Sequence, residues 1–154
     1  AQGPVPRAGE LQRTVAARCR RVFRERLNVA VLLDTHLLLW ALADPRRLPA
    51  DFRRELDDTD AYVSVASIWE IAIKNAIGKI DIDPAAVLDA LEPAGFLPLA
   101  ITGAHAAAVG RLPLRHKDPF DRLLVAQARL ESLELVTNDS AVAAYGERVR
   151  LIEA

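Results

Sequence analysis

The sequence is short of the residues that stabilise secreted and membrane proteins. Its 154 residues include one cysteine, Cys19, which excludes an internal disulfide and any zinc site built from several cysteines. We therefore expect a reducing, cytoplasmic environment. No window holds about 20 uninterrupted apolar residues, so no membrane-spanning helix is predicted, and no secretory signal pattern precedes the first apolar run. An apolar fraction of 51% with a net charge of −1 excludes a disordered chain.

Charge is distributed unevenly along the chain. Residues 1–28 carry seven arginines and two glutamates, a net charge of +5, whereas residues 29–154 carry 13 basic and 19 acidic side chains, a net charge of −6. Leu11, Val15 and Cys19 recur at helical spacing, so part of the basic segment is predicted to be helical. We interpret residues 1–28 as an extension without a catalytic role, in preference to an arm that contacts nucleic acid or a membrane. Residues 29–154 are predicted to form one domain.

Apolar runs and amphipathic segments alternate through this domain. Strands are predicted at residues 29–33, 61–64, 96–99, 133–137 and 149–152. Helices are predicted at residues 35–43, 49–58, 66–77, 84–94, 102–110, 119–132 and 140–144, several with a capping residue or proline at the start. Such alternation predicts an α/β fold, with a parallel sheet covered by helices on both faces.

Carboxylates fall where the carboxyl ends of the predicted strands meet. Asp34 directly follows the first strand, and Asp139 follows the fourth. Glu70 lies early in the helix after the second strand, and Asp118 and Asp121 lie at the start of the helix at 119–132. Because functional groups in parallel sheets collect at this edge, we expect these side chains to lie close together.

Each acid alone also has an ordinary structural explanation. Asp34, Asp118 and Asp139 each precede a helix and could cap it, and Glu70 is four residues before Lys74, the spacing of a helical ion pair. Together, however, four such charges would repel one another by several kcal/mol.

A divalent cation would relieve that repulsion. Oxygen ligands suit Mg²⁺ or Mn²⁺, whereas zinc would normally recruit cysteine or histidine. Cys19, His36, His105 and His116 form no ligand pattern in the sequence, and each histidine is predicted to be a loop or helix-face residue.

Four sequence blocks, at residues 31–40, 63–74, 116–128 and 135–139, resemble the PIN-domain nucleases. The blocks read VLLDTHLLLW, VSVASIWEIAIK, HKDPFDRLLVAQA and LVTND, and the resemblance spans about residues 29–152. It is closest to the branch that includes VapC-type toxins of bacterial toxin–antitoxin pairs. The resemblance implies a three-layer α/β/α sandwich with a mostly parallel central sheet, and a Mg²⁺- or Mn²⁺-dependent ribonuclease that leaves 3′-hydroxyl and 5′-phosphate ends.

By motif, the family's catalytic and metal-binding acids fall on Asp34, Glu70, Asp121 and Asp139. Asp118 is an additional carboxylate, for which capping is the favoured role because Pro119 follows it. Asp34, Asp121 and Asp139 are expected to bind the metal, and Glu70 to complete the site or orient the attacking water.

The resemblance also implies an RNA substrate, a homodimer and a small VapB-type antitoxin as partners. Lys74, Lys117 and Arg122 are the favoured candidates for contacting phosphates, since they lie within the motif blocks. Trp40 and Trp69 lie in apolar stripes, and packing in a core or interface is favoured over base stacking.

Two other functions are compatible with an acid at the end of a parallel strand. Aspartyl-phosphate enzymes on a similar sheet need adjacent acids or a second Asp two residues after the first, but Thr35 and His36 follow Asp34. A PIN-fold module that binds RNA or protein without cleavage is the main alternative, and the presence of all four expected acids disfavours it.

Overall fold

A computed structural model describes residues 29–153, which form five strands and seven α-helices. The strands are β1 (Val31–Leu33), β2 (Ala61–Ser64), β3 (Phe96–Leu99), β4 (Glu134–Thr137) and β5 (Val149–Leu151). The helices are α1 (Thr35–Ala43), α2 (Ala50–Asp58), α3 (Val65–Ala76), α4 (Pro84–Leu91), α5 (Gly103–Val109), α6 (Pro119–Leu130) and α7 (Ser140–Ala143). None of these helices is long and apolar enough to cross a membrane. The extension predicted at residues 1–28 lies outside the described residues.

The five strands form one sheet in the order β3-β2-β1-β4-β5, and every pair is parallel. β1 lies at the centre because it pairs with both β2 and β4. The predicted three-layer α/β/α sandwich with a parallel sheet is therefore confirmed.

Alternation along β1 divides the interior into two cores, one on each face of the sheet. Val31 and Leu33 pack with Leu37 on one face, whereas Leu32 packs with Leu124 on the other. All five side chains are essentially inaccessible to solvent, and burial of each contributes roughly 1.5–3 kcal/mol. A strand buried on both faces requires the continuous apolar run that the sequence shows here.

Helix ends follow local backbone chemistry, and two of them differ from the prediction by more than one residue. Gly78, predicted to terminate α3, has a φ of 72°, a left-handed conformation that glycine adopts without strain. The helix predicted to reach Ser132 ends instead at Leu130, and Ser132 takes a φ of 56° that turns the chain into β4. The helix predicted to reach Ala94 ends at Leu91.

Candidate metal centre

The carboxyl ends of β1, β2 and β4 lie side by side, since β1 is paired with both neighbours. Asp34 directly follows β1, and Asp139 follows β4 after one intervening residue. Glu70 lies in the second turn of α3, which follows β2, and Asp121 lies in the first turn of α6. The fold thus directs all four predicted acids to one edge of the sheet, which we call the acid edge.

Asp34 is the most enclosed of these acids, with 4% of its surface exposed. Its Oδ2 accepts a hydrogen bond from the Thr137 hydroxyl at 2.5 Å, and its Oδ1 accepts a longer one from the backbone N–H of His36 at 3.4 Å. Burial raises the pKa of Asp34, although the Thr137 hydrogen bond opposes that effect. This carboxylate is held rigidly at the end of the central strand.

Thr137 also links the first acid to the fourth. While its hydroxyl donates to Asp34, the same oxygen accepts from the backbone N–H of Asp139 at 3.0 Å. Thr137 is not among the predicted site residues, because a threonine at a strand end has no distinguishing pattern. Its position two residues before Asp139 is the available signal.

Glu70 is 6% exposed and is held from two sides. One carboxylate oxygen accepts from the Thr35 hydroxyl at 2.6 Å, and the other contacts Lys74 Nζ at 2.5 Å. Burial alone would lower the pKa of Lys74, but the hydrogen bond and charge of Glu70, with more distant acids, raise it overall. The helical ion pair predicted from the spacing is therefore present, at the acid edge itself.

The pKa of Asp121 is raised by burial and by the charges of the other acids. Burial is the largest cause of its shift, followed by the charges of Asp34, Asp118, Glu70 and Asp139, and together they raise the pKa of Asp121 from 3.8 to about 7. A carboxyl group with this pKa is partly protonated at neutral pH. The cluster therefore contains more carboxylates than it can keep ionised without a cation.

This donor set fits a hard divalent ion. Carboxylate oxygens are the ligands that Mg²⁺ and Mn²⁺ prefer, and Lys74, the lysine beside the cluster, is already paired with Glu70. Of the four acids, Asp121 and Asp139 have carboxylate oxygens within 4.8 Å of each other, whereas Asp34 and Glu70 are not part of that close group.

Asp118 caps α6, in agreement with the favoured prediction. Its Oδ1 accepts from the backbone N–H of Phe120 at 2.8 Å and of Asp121 at 3.4 Å. Its charge still contributes to the raised pKa of Asp121. Asp118 therefore shapes the site electrostatically while serving the helix.

His116 lies among the acids, which the sequence did not indicate. It is a loop residue, as predicted, but its Nε2 lies 3.4 Å from Asp121 Oδ2 and 3.7 Å from Asp139 Oδ2. One ligand atom from each of these three residues lies within 4.8 Å of the others. The available signal was its place two residues before Asp118 in the third motif block.

Arg122 does not face the site, contrary to the expectation that it contacts phosphates. It is 8% exposed, and its guanidinium donates to the carbonyl oxygens of Val109 and Pro113 and to the Tyr145 hydroxyl, each at 3.0 Å. A buried guanidinium needs this many acceptors. Arg122 therefore fixes the loop before α6. Lys117, the third candidate, is exposed.

The two tryptophans differ in their surroundings. Trp40 is partly buried against the core, with the Arg47 guanidinium 4.1 Å from its ring centre. Trp69 is 57% exposed and contacts Phe120 edge-on at 5.0 Å between ring centres, so it is not a core residue.

Trp69 begins an exposed apolar stripe. Ile73 on α3 and Ile77 just after it follow at intervals of four residues, and both are exposed. Trp69 contacts Phe120, the neighbour of Asp121 in α6, so the start of this stripe lies beside the acids.

Comparison with known proteins identifies the fold. The PIN domain model matches residues 31–148, and no curated protein sequence matches significantly. The structure is similar to DNA-bound VapBC from Salmonella typhimurium (TM-score 0.59, 15% identity, 81% of this chain and 98% of that chain). It is also similar to VapBC2 from Rickettsia felis bound to a promoter DNA fragment (0.58, 16%, 80% and 97%). A third similar structure is a toxin–antitoxin complex from Klebsiella pneumoniae (0.55, 20%, 79% and 96%). The chain belongs to the PIN domain family.

Proposed function

We propose that this protein is a Mg²⁺- or Mn²⁺-dependent ribonuclease, and that it is the toxin of a type II toxin–antitoxin pair in the cytoplasm. Asp34, Glu70, Asp121 and Asp139 are its catalytic and metal-binding residues. The observation that carries the proposal is the arrangement of these four acids, which come from separate elements, at one edge of the sheet. Burial and four neighbouring carboxylates raise the pKa of Asp121 to about 7, and strongly shifted pKa values are concentrated at functional sites.

A divalent ion held by Asp34, Asp121 and Asp139 would screen the negative charge of the phosphodiester and lower the pKa of a coordinated water. Asp34 suits direct binding because its Thr137 hydrogen bond fixes its orientation. Asp121 would bind the ion as the ionised carboxylate; burial and then the surrounding negative charge raise its pKa, and a bound cation would lower it.

Glu70 is placed to orient the attacking water. Thr35 and Lys74 hold its two oxygens at 2.6 and 2.5 Å, so the carboxylate cannot rotate freely. A fixed acceptor aligns a nucleophile better than a mobile one. Lys74 supplies positive charge beside the acids, and the exposed Lys117 is available to RNA phosphates.

The proposed partners are a small antitoxin of the VapB type and a second copy of this chain. The similar structures from Salmonella typhimurium and Klebsiella pneumoniae are complexes of a toxin with an antitoxin. The stripe formed by Trp69, Ile73 and Ile77 supports a protein partner, because apolar side chains that remain exposed at helical spacing favour burial against another protein.

Cleavage of a structured RNA by the purified protein tests the proposal. We expect cleavage with Mg²⁺ or Mn²⁺, none with EDTA, and none by Asp34→Asn. Asp89→Asn, a substitution of an exposed aspartate on α4, is the matched control and should cleave normally. Binding of RNA without metal-dependent cleavage would instead favour the non-cleaving module.

A further inference from the structure

The loop that carries His116 is held in place by buried polar groups. The backbone N–H of His116 donates to the Tyr145 hydroxyl at 3.2 Å, and this hydroxyl also accepts from Arg122 at 3.0 Å. Arg122 in turn binds the Pro113 carbonyl at the start of the loop. The imidazole is therefore positioned before any ligand arrives.

A backbone contact sets the position of the proton on the His116 ring. The N–H of Asp118 donates to His116 Nδ1 at 3.0 Å, so Nδ1 carries a lone pair. In the neutral ring the proton must then be on Nε2. Nε2 faces Asp121 Oδ2 at 3.4 Å and Asp139 Oδ2 at 3.7 Å. Both distances exceed the roughly 2.7–3.2 Å of an N–H···O hydrogen bond, so the ring faces the two carboxylates through an electrostatic contact.

His105 shows the same arrangement away from the acid cluster. Its Nδ1 accepts from the backbone N–H of Thr102 at 3.1 Å, and its Nε2 lies 2.7 Å from a carboxylate oxygen of Glu131. In both residues a backbone donor near a helix start holds Nδ1 and directs Nε2–H at carboxylate. His105 is therefore an internal reference for His116.

This arrangement is the reverse of that of a metal-binding histidine. A ligating nitrogen needs its lone pair, and the other ring nitrogen then donates its proton to an acceptor. Here the other nitrogen of His116 faces a donor, the N–H of Asp118. The spacing of His116, Asp121 and Asp139 suits a metal, but the hydrogen bonding does not make His116 a ligand.

We propose that His116 is a positioning residue whose fixed Nε2–H faces Asp121 and Asp139 with its positive end, and that it does not itself bind the metal. The inference rests on the proposed metal-dependent function. Asp121 belongs to α6, and Asp139 caps α7. The polarised N–H attracts both carboxylates, which come from separate helices, and so favours the orientation in which they would meet the cation.

Nitrogen-15 NMR of the histidine rings tests the proton position directly. At a pH at which both rings are neutral, we expect the metal-free protein to show protonated Nε2 and unprotonated Nδ1 for His105 and His116, and Mg²⁺ to leave this pattern unchanged. A neutral His116 ring with its proton on Nδ1, with or without Mg²⁺, would overturn the proposal. Signals are assigned with His116→Ala and His36→Ala.

Electron spin echo spectroscopy of the Mn²⁺-loaded protein tests ligation. We expect bound Mn²⁺ without a directly coordinated imidazole nitrogen; such a nitrogen coupling, lost in His116→Ala, would overturn this inference and leave the proposed nuclease intact. Failure of the wild-type protein to bind Mn²⁺ at all would overturn both.

Variants measure the effect on affinity. We expect His116→Ala to weaken Mn²⁺ binding about 10-fold, the usual size for loss of a group that orients a metal ligand. His116→Gln, which keeps an N–H donor, should stay within about threefold of wild type, as should His36→Ala at an exposed site. Equal binding by His116→Ala and wild type would contradict the proposal, and thermal melting confirms that each variant is folded.

Discussion

Two clusters of carboxylates in this protein differ in how their charge is balanced. On β5, Arg150 donates to both oxygens of Glu55 at 2.6 and 3.0 Å, and its Nε lies 3.0 Å from Glu134. The hydrogen bonds and charge of Glu55, with the charge of Glu134, raise the pKa of Arg150. One arginine here satisfies two acids from different elements.

At the acid edge, carboxylates outnumber the cationic side chains that pair with them. Five carboxylates influence one another there, and the pKa of Asp121 rises to about 7 while Lys74 is engaged by Glu70 alone within hydrogen-bond distance. In the Arg150 cluster the carboxylates are paired with a cationic side chain, and this pairing stabilises the fold. At the acid edge, burial and neighbouring carboxylates raise the pKa of Asp121, and a bound cation would lower it. Matched substitutions in the two clusters should therefore have opposite effects.

Glu70→Gln should produce the largest effect. We expect RNA cleavage to fall about 10²- to 10³-fold, or roughly 3–4 kcal/mol of transition-state stabilisation, because the neutral amide removes the fixed acceptor charge. The free energy of unfolding should change by less than about 1 kcal/mol, since glutamine can still accept from Thr35. Cleavage rates and urea unfolding measure the two quantities, and unchanged cleavage would remove Glu70 from the site.

The second largest effect should be the pH dependence of the free energy of unfolding, measured in EDTA so that no metal is bound. Between the unfolded pKa of 3.8 and the folded pKa of about 7, the folded protein retains a proton on Asp121 that the unfolded chain has lost. The free energy of unfolding must therefore fall as pH rises through this window, by at most about 4 kcal/mol. Asp34, whose pKa is also raised, acts in the same direction.

Urea unfolding at pH 5 and pH 7.5 measures this slope. Asp121→Asn should flatten it, because asparagine does not titrate, whereas Asp89→Asn should keep the wild-type slope. Parallel curves for Asp121→Asn and wild type would contradict the assignment.

Glu55→Gln is the counterpart of Glu70→Gln in the balanced cluster. It should lower the free energy of unfolding by about 1 kcal/mol, because the paired hydrogen bonds to Arg150 lose their charge while the side chains remain partly solvated. RNA cleavage should stay at the wild-type rate. A loss of cleavage without a loss of stability would contradict the structural role assigned to Glu55.

Asp118→Ala should produce the smallest effect. Loss of the α6 cap should cost about 1 kcal/mol in stability, and Asp118→Ser should restore most of it because serine also caps helices. Mn²⁺ affinity, measured by calorimetry, should fall less than in Asp121→Asn. An equal loss in both variants would make Asp118 a metal ligand.

Most of the fold could be predicted from the sequence because its signals are local. The buried run at β1, the cap and proline at Asp118 and Pro119, and the glycine after α3 each act within a few residues. The element ends that differed, such as Leu130, depend on a single backbone conformation at Ser132 that composition does not reveal.

The site was harder to predict because its details depend on contacts between distant residues. Parallel topology was enough to bring Asp34 and Asp139 to one edge. The placement of His116 beside Asp121, and the burial of Arg122 beneath the same loop, depend on how residues 110–118 fold back toward Tyr145. Spacing within a motif block does not show whether a basic side chain is exposed, as Lys117 is, or buried, as Arg122 is.

The hydroxyl of Thr137 donates to Asp34, which lies 103 residues earlier in the chain, and accepts from the backbone N–H of Asp139. During translation, Asp34 leaves the ribosome long before either residue has been made. An interrupted synthesis product that stops before Thr137 has neither a complete β4 nor the fourth acid, so the proposed toxin acquires its complete acid set only late in its own production.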